Sequence, residues 1–575
     1  MRKHWVAFIL LVLIIDNNFL LAQTPLWQWA RSITSNNPVR ANAIAVDKWG
    51  NTYTTGTFLY MADFDFGLGV CSLTATAPYD IYINKTDSAG NFVWAKHFGG
   101  WGFYDSGHAI AVDDFGNVYS SGSFGVMADF NPDPDSLKTY YLMAGSSQNT
   151  HGSVYLSKLD SAGNFVWAKA MQSSSSATAT TMCMDNNANV YIAGNFSNLL
   201  DLNPDSNITD TTRALGGFDI FVTKLDSAGN TLWSKTIGGP YDDVSFGISV
   251  DKATEQVYFT GRSGPYLDFD PDTGTAILSN YMGWQGFVCT WDSSGNYDWA
   301  KPIVGYLAHS IDFDATASGN VYVAGAFSDS TDFNPDTNAV FSLTSAGSTD
   351  IAVLKLTSAG NFVWAKRLGG KSNDDNDDMV LDPAGNVYII GTYRDTADFD
   401  PDTSASFNLF PSSYLWDLYV TKLNANGNFV WAKSMNGAGY DSGTGIDLDS
   451  SGAIYVTGYF GPTLSLDTII LQNGSFNDED IFIAKLINNT LTGTEEIPNT
   501  NKIICYPNPF AEELHLSVLK SPFVLSLYDV FGREVLKKKV TNKGIVLNTA
   551  NLAKGIYFIE TQTEKEKTVR KVVKQ

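Results

Sequence analysis

The chain has 575 residues, 44% of them hydrophobic and 13% aromatic, with 50 Gly and a net charge of −23. It is too long for one ordinary core, too rich in strand and turn formers for a helical protein, and too acidic for a partner such as nucleic acid or anionic lipid. The charge is uneven: residues 501–575 hold 13 Lys and Arg against 7 Asp and Glu, which leaves −29 on the remainder.

Residues 1–22 read as a secretory signal. Arg2, Lys3 and His4 give a positive start, and Trp5 to Ile15 form an apolar core. Small Ala22 before Gln23 marks the expected cleavage point. The core is too short for a bilayer span and Asp16-Asn17-Asn18 interrupts it. No membrane span is expected once the signal is removed.

From residue 23 to 487 one phrase, close to S-A-G-N-F-V-W-A-K, keeps returning. Its Trp stands at 29, 94, 167, 233, 299, 364 and 431, at intervals of 65 to 73 residues. Such a period means one supersecondary unit copied seven times. In the second copy Ala109 to Val112 is a strand and Asp114-Phe115-Gly116-Asn117 a tight turn. Val118 to Phe124 pairs back, and a longer loop starts at Asp129. Ser153 to Leu159 is the third strand, and Asp160 to Asn164 turns into the next Trp strand. Four strands per copy, several apolar on both faces, suit sheets covered on both sides.

The expected fold is all-β: a seven-bladed β-propeller closed by its N-terminal strand, then a small C-terminal β-sandwich. The closure follows from the ends. Leu26 to Ile33 matches only a fourth strand and Asp480 to Leu486 only a third, so the first segment can finish the last blade. A polar linker at 488–502 leads to the C-terminal domain at 503–575.

The loop between second and third strands carries alternating acids in six copies, beginning with Asp63 and Asp65. The others are Asp129-x-Asn131-x-Asp133, Asp201-x-Asn203-x-Asp205, Asp268-x-Asp270-x-Asp272, Asp332-x-Asn334-x-Asp336 and Asp398-x-Asp400-x-Asp402. Oxygen-rich D-x-[DN]-x-D loops suit Ca²⁺, which takes 6–8 oxygens. An EF-hand is excluded, because no Gly stands sixth and no acid twelfth. The competing reading is an acidic turn with the intervening Phe or Leu tucked inward. The blade-to-blade loops add Asp105, Asp242, Asp243, Asp374, Asp375 and Asp441, placed near the mouth of the predicted channel. Paired acids there would suit glycoside cleavage. His97, His108, His151 and His309 show no metal spacing. The four Cys, at 71, 183, 289 and 505, are too scattered for a disulfide framework. No serine-hydrolase, zinc-protease or phosphate-loop motif occurs.

The phrases G-I-A-V-D-x-x-G-N-V-Y and D-I-F-V-x-K-L-D-x-x-G-N resemble bacterial SBBP-type β-propeller repeats, a likeness that implies fold and says little about function. Tyr506-Pro507-Asn508-Pro509-Phe510, Leu527 to Val535, Leu552 to Phe558 and the basic end Lys571 to Gln575 resemble the type A C-terminal sorting domain of the type IX secretion system of Bacteroidota. That resemblance implies the secretion machinery as partner and a secreted or cell-surface destination. The functional expectation is a non-catalytic adhesion, binding or scaffold module for a glycan or protein ligand. The alternative is a secreted polysaccharide hydrolase or lyase using acids at the channel mouth.

Overall fold

A computed structural model describes residues 25–575 except 103–104, 136, 146–151, 206–207, 279–282, 305, 314–318, 337–338, 413–414, 474–478, 489–503, 507–511, 518–522, 530–532, 542–543, 563–566 and 575. The signal segment with Ala22 and Gln23 lies outside the described residues. The chain divides into two compact units, Met1–Asn489 and Thr490–Gln575. All regular structure among the described residues is β, and no helix there is long and apolar enough to cross a membrane.

The first unit is built from seven antiparallel sheets of one pattern. In sheet 1, β2 (Val39–Val46), β3 (Thr52–Asp63), β4 (Ser72–Thr86) and β5 (Phe92–Gly100) pair in sequence order. Sheets 2 to 6 repeat the four-strand order, starting at Ser106, Ala177, Val244, Tyr306 and Asp374. Sheet 7 has three strands from its own copy, Ser442–Leu448, Ile454–Phe460 and Asp480–Ile487. Its fourth strand is β1 (Leu26–Ile33), which runs antiparallel to the last of these, from Leu26↔Ile487 to Ile33↔Ile481.

Why these strands are apolar on both faces follows from the packing. Seven cores each lie between two consecutive sheets, not inside any one. The core of sheets 4 and 5, for example, joins Tyr258 and Val288 to Val323, Leu354 and Leu356. The remaining cores continue the series. One of them joins Trp29, Tyr455, Ile481 and Ile483 of sheet 7 to Val39, Phe58 and Tyr82 of sheet 1. Every residue of the strand Asn320–Phe327 is therefore buried, as a sheet covered on both sides requires.

The first strand of every sheet carries a one-residue bulge, at Asn42, His108, Thr180, Phe246, His309, Asp377 and Thr444. Such an extra residue bends the strand and sharpens its twist. These first strands touch in succession, and that of sheet 7 touches that of sheet 1.

The C-terminal unit has two antiparallel sheets. One holds Ile504–Tyr506, Glu513–Ser517 and Gly544–Asn548; the other is ordered Glu534–Val540, Phe523–Asp529, Gly555–Gln562, Lys567–Lys574. Leu514, Leu516, Leu525, Leu527, Val540, Leu547 and Ile559 fill its core.

Candidate functional site

The recurring phrase is a fastener between sheets. The Asp of each D-S-A-G-N turn organises its own loop: Asp87 Oδ1 accepts from the amides of Ala89 (2.9 Å) and Asn91 (2.8 Å), and Asp160 repeats the pattern. The Trp of the preceding sheet then lies on that turn. The indole N–H of Trp29 donates to Ser88 O (3.2 Å), Trp94 to Ser161 O, Trp167 to Ser227 O, Trp233 to Ser293 O and Trp299 to Ser358 O. Trp29 belongs to sheet 7 and Ser88 to sheet 1, so the same latch joins the last sheet to the first. Gly90, at φ +81°, supplies the bare backbone on which the Trp29 ring rests. Trp431 is the exception. It faces sheet 7, where the two ends of the unit replace the turn, and it is buried instead.

The alternating acids do not converge on one point. Each caps the backbone two residues further on, the local bonding that Asp and Asn favour. Asp129 Oδ1 accepts from the amides of Asn131 (3.0 Å) and Tyr140 (2.8 Å), Asn131 from Asp133, and Asp133 from Asp135. The chains Asp201–Asn203–Asp205, Asp268–Asp270–Asp272, Asp332–Asn334–Asp336 and Asp398–Asp400–Asp402 repeat this ladder. The residue after the first acid is buried each time: Phe64, Phe130, Leu202, Phe269, Phe333 and Phe399. Several of these excursions also pair with the fourth strand of the preceding sheet, as at Gly99↔Asp129 and Gly369↔Asp398. Lysines of that strand reach the loop acids: Lys235 pairs with Asp272, and Lys433 with Asp467 at 2.7 Å. Among the described residues no group of three or more His, Cys, Asp or Glu is gathered so as to hold a metal ion.

The acids of the sheet-to-sheet loops have a different fate. Asp105, Asp243, Asp374 and Asp441 are buried and accept backbone amides of the loops they close. Burial pushes each carboxyl up to about 7. They are paired across the sheet junctions with Asp80, Asp219, Asp350 and Asp417, which cap the neighbouring loops. Asp242 stays exposed and Asp375 half-buried.

The acids that line a cavity were not singled out in the sequence. A space of about 310 Å³ is walled by residues from the first strands of all seven sheets, among them Asn42, His108, Thr180, Phe246, Asp312, Asp378 and Thr444. Asp312, Asp378 and Asp447 each accept an amide of the next sheet's first strand, from Leu381, Ile446 and Val46. Burial pushes Asp378 and Asp447 up to about 7, and their mutual repulsion adds to it. The only sequence signal for them is an acid inside an otherwise apolar strand, as in Ile311-Asp312-Phe313 and Ile446-Asp447-Leu448. His108 lies in the same wall, and burial lowers it to about 4. His97 Nε2 stands 3.8 Å from Asp80 Oδ2. His151 and the His309 side chain lie outside the described residues. Cys71, Cys183 and Cys289 are free thiols.

Residues 504–575 match the family model described as a secretion system C-terminal sorting domain. The chain is thus a type IX secretion cargo, delivered to the cell surface or the medium. An uncharacterized WD repeat-containing protein, L264, of Acanthamoeba polyphaga mimivirus is 27% identical over 68% of this chain. The regulatory protein FlaEY of Caulobacter vibrioides is 24% identical over 41% of it. The matched stretches span only 27% and 24% of those relatives. Among solved structures, the extracellular domain of BT4673 from B. thetaiotaomicron aligns at 11% identity over 96% of this chain and 98% of its own, with a TM-score of 0.16. PorZ, a surface component of the type IX secretion system of Porphyromonas gingivalis, aligns at 11% identity over 95% and 100%, with a TM-score of 0.15.

Proposed function

We propose that residues 23–487 form a closed seven-bladed β-propeller of SBBP type. In this reading it serves at the cell surface as a non-catalytic binding or scaffold module. The observation that carries the closure is the pairing of β1 with Asp480–Ile487, together with the Trp29 latch onto sheet 1. The seven cores between consecutive sheets, sheet 7 to sheet 1 included, support the same reading. Closing the series leaves no first or last sheet with an uncovered face.

The binding role is supported by where the chain is uniform and where it varies. The D-x-x-G-N and D-S-A-G-N turns are short and alike, while the opposite connections are long and different in each copy. Rigid scaffolds present binding residues on such variable loops. The sheet-to-sheet acids Asp105, Asp243, Asp374 and Asp441 sit buried under loop backbone, a structural employment that leaves them poorly placed as acid and base for a polysaccharide. The test is a binding screen of the purified protein on glycan and extracellular-matrix arrays, beside a polysaccharide-degradation assay. Binding without degradation is expected. Release of reducing ends or unsaturated products would overturn the non-catalytic reading, and an absence of binding on every array would remove its support.

A further inference from the structure

One feature of the variable side has no structural employment. The loops that lead from one sheet to the next each carry an aromatic residue just before the buried acid. Trp101 is 72% exposed, Tyr241 48% and Tyr440 62%. None of the three belongs to a core between sheets. Each loop lies against the start of the next sheet's second-to-third excursion. Trp101 N donates to Met127 O (2.9 Å), a Cβ on Gly264 would stand 2.6 Å from Tyr241 Cβ, and a Cβ on Gly439 would stand 2.7 Å from Gly461 Cα. Fourth-to-first and second-to-third connections of a meander share one side of the sheets, so the rings face one way. Exposed rings that bury nothing mark an interaction surface.

Charge selects the partner. With the C-terminal tail contributing +6, the rest of the chain carries −29. Exposed Asp242 follows Tyr241 directly, and exposed Asp272, Asp395 and Asp402 stand on the excursions of the same side. Rings beside carboxylates are the chemistry that holds a cation: the ring face attracts it and the carboxylate neutralises it. This side already has one such pair, with the Arg262 guanidinium 4.4 Å from the centre of the Trp284 ring.

We propose that this side of the molecule docks an arginine-rich, basic segment of a partner protein, with guanidinium groups stacked on Trp101, Tyr241 and Tyr440 and neutralised by neighbouring aspartates. The proposal rests on the binding-module reading and narrows it to one class of ligand. Arginine is preferred over lysine because its planar, weakly hydrated group stacks on rings. The acidic field would speed encounter and make it sensitive to salt.

The test measures fluorescence anisotropy of labelled nona-arginine, nona-lysine and nona-glutamate peptides with the full secreted protein. The triple variant W101A/Y241A/Y440A provides the control, since its substitutions are at exposed sites and an unchanged thermal melt would show that it folds. Nona-arginine is expected to bind more tightly than nona-lysine, by roughly threefold for each ring engaged. The triple variant should lose that preference and keep the weaker, salt-dependent binding shared by both cationic peptides. Equal affinity for the two cationic peptides, or an arginine preference that survives in the triple variant, would overturn the proposal. If the arrays show a ligand while nona-arginine does not bind, the partner class is wrong and the binding-module reading stands. If neither binds, both fall.

Discussion

Replacing Gly90 by Ala probes the fastening where sheet 7 meets sheet 1. Gly90 holds φ at +81°, and a Cβ there would lie 2.6 Å from Trp29 Cδ2 and 3.0 Å from Cε2 and Cε3. Two penalties therefore add: a left-handed backbone, roughly 1–2 kcal/mol for an L-residue, and overpacking against a buried ring, roughly 1–3 kcal/mol. Gly452 separates them. Its φ is +78° in the corresponding kind of turn, and nothing lies within 4 Å of its Cβ position. Gly452→Ala should cost only the backbone share, about 1–2 kcal/mol, and Gly90→Ala about 2–5 kcal/mol. Urea unfolding followed by Trp fluorescence reads the difference, and hydrogen exchange locates it. In Gly90→Ala the amides of β1 should lose protection first, because the displaced Trp29 sits on that strand. Equal destabilisation by the two substitutions would show that Trp29 is not seated on Gly90, and the latch reasoning would fail with it.

Further tests address the acids. Burial raises Asp105, Asp243, Asp374 and Asp441 from 3.8 to about 7 in the folded protein. Between those values the unfolded chain releases protons that the folded chain keeps, so these groups stabilise the fold at low pH and that contribution is lost as pH rises through about 7. The melting temperature should fall from pH 5 to pH 8, and Asp374→Asn should shrink the fall; a melting temperature that rises over that window contradicts the assignment. Asp332 Oδ1 receives the amides of Asn334 (3.0 Å) and Phe341 (2.8 Å). Asp332→Ala should cost about 1 kcal/mol by chemical denaturation while Asp332→Asn, which keeps that oxygen, stays near wild type; equal losses would mean that the cap is not what the residue contributes. Because the alternating acids cap amides and meet lysines, millimolar calcium and EDTA should give the same melting temperature, whereas a rise with calcium would assign the ion to these loops.

Much of the architecture was legible in one dimension because repetition exposes it. Seven returns of one Trp gave the number of units, and the mismatched ends, Leu26–Ile33 as a fourth strand and Asp480–Leu486 as a third, foretold the pairing that β1 makes. The inward Phe or Leu of each acidic loop was legible too, since a ring between two carboxylates in a turn has only the core to enter. The roles of the acids were not. Asp105 and Asp242 look alike in a string of letters, yet one closes a loop in the interior and the other stands in water.

The composition and period of this sequence by themselves determined the strands, their turns and the seven-fold count, because those depend on local preference and on the face each residue must bury. Only the tertiary structure decided which carboxylates are buried, which cap an amide and which line the cavity with Asp312, Asp378 and Asp447. A side chain's protonation and partners are set by the neighbours that folding brings to it from other sheets, some more than 400 residues away, as Asp447 is from Val46, and no local pattern records them.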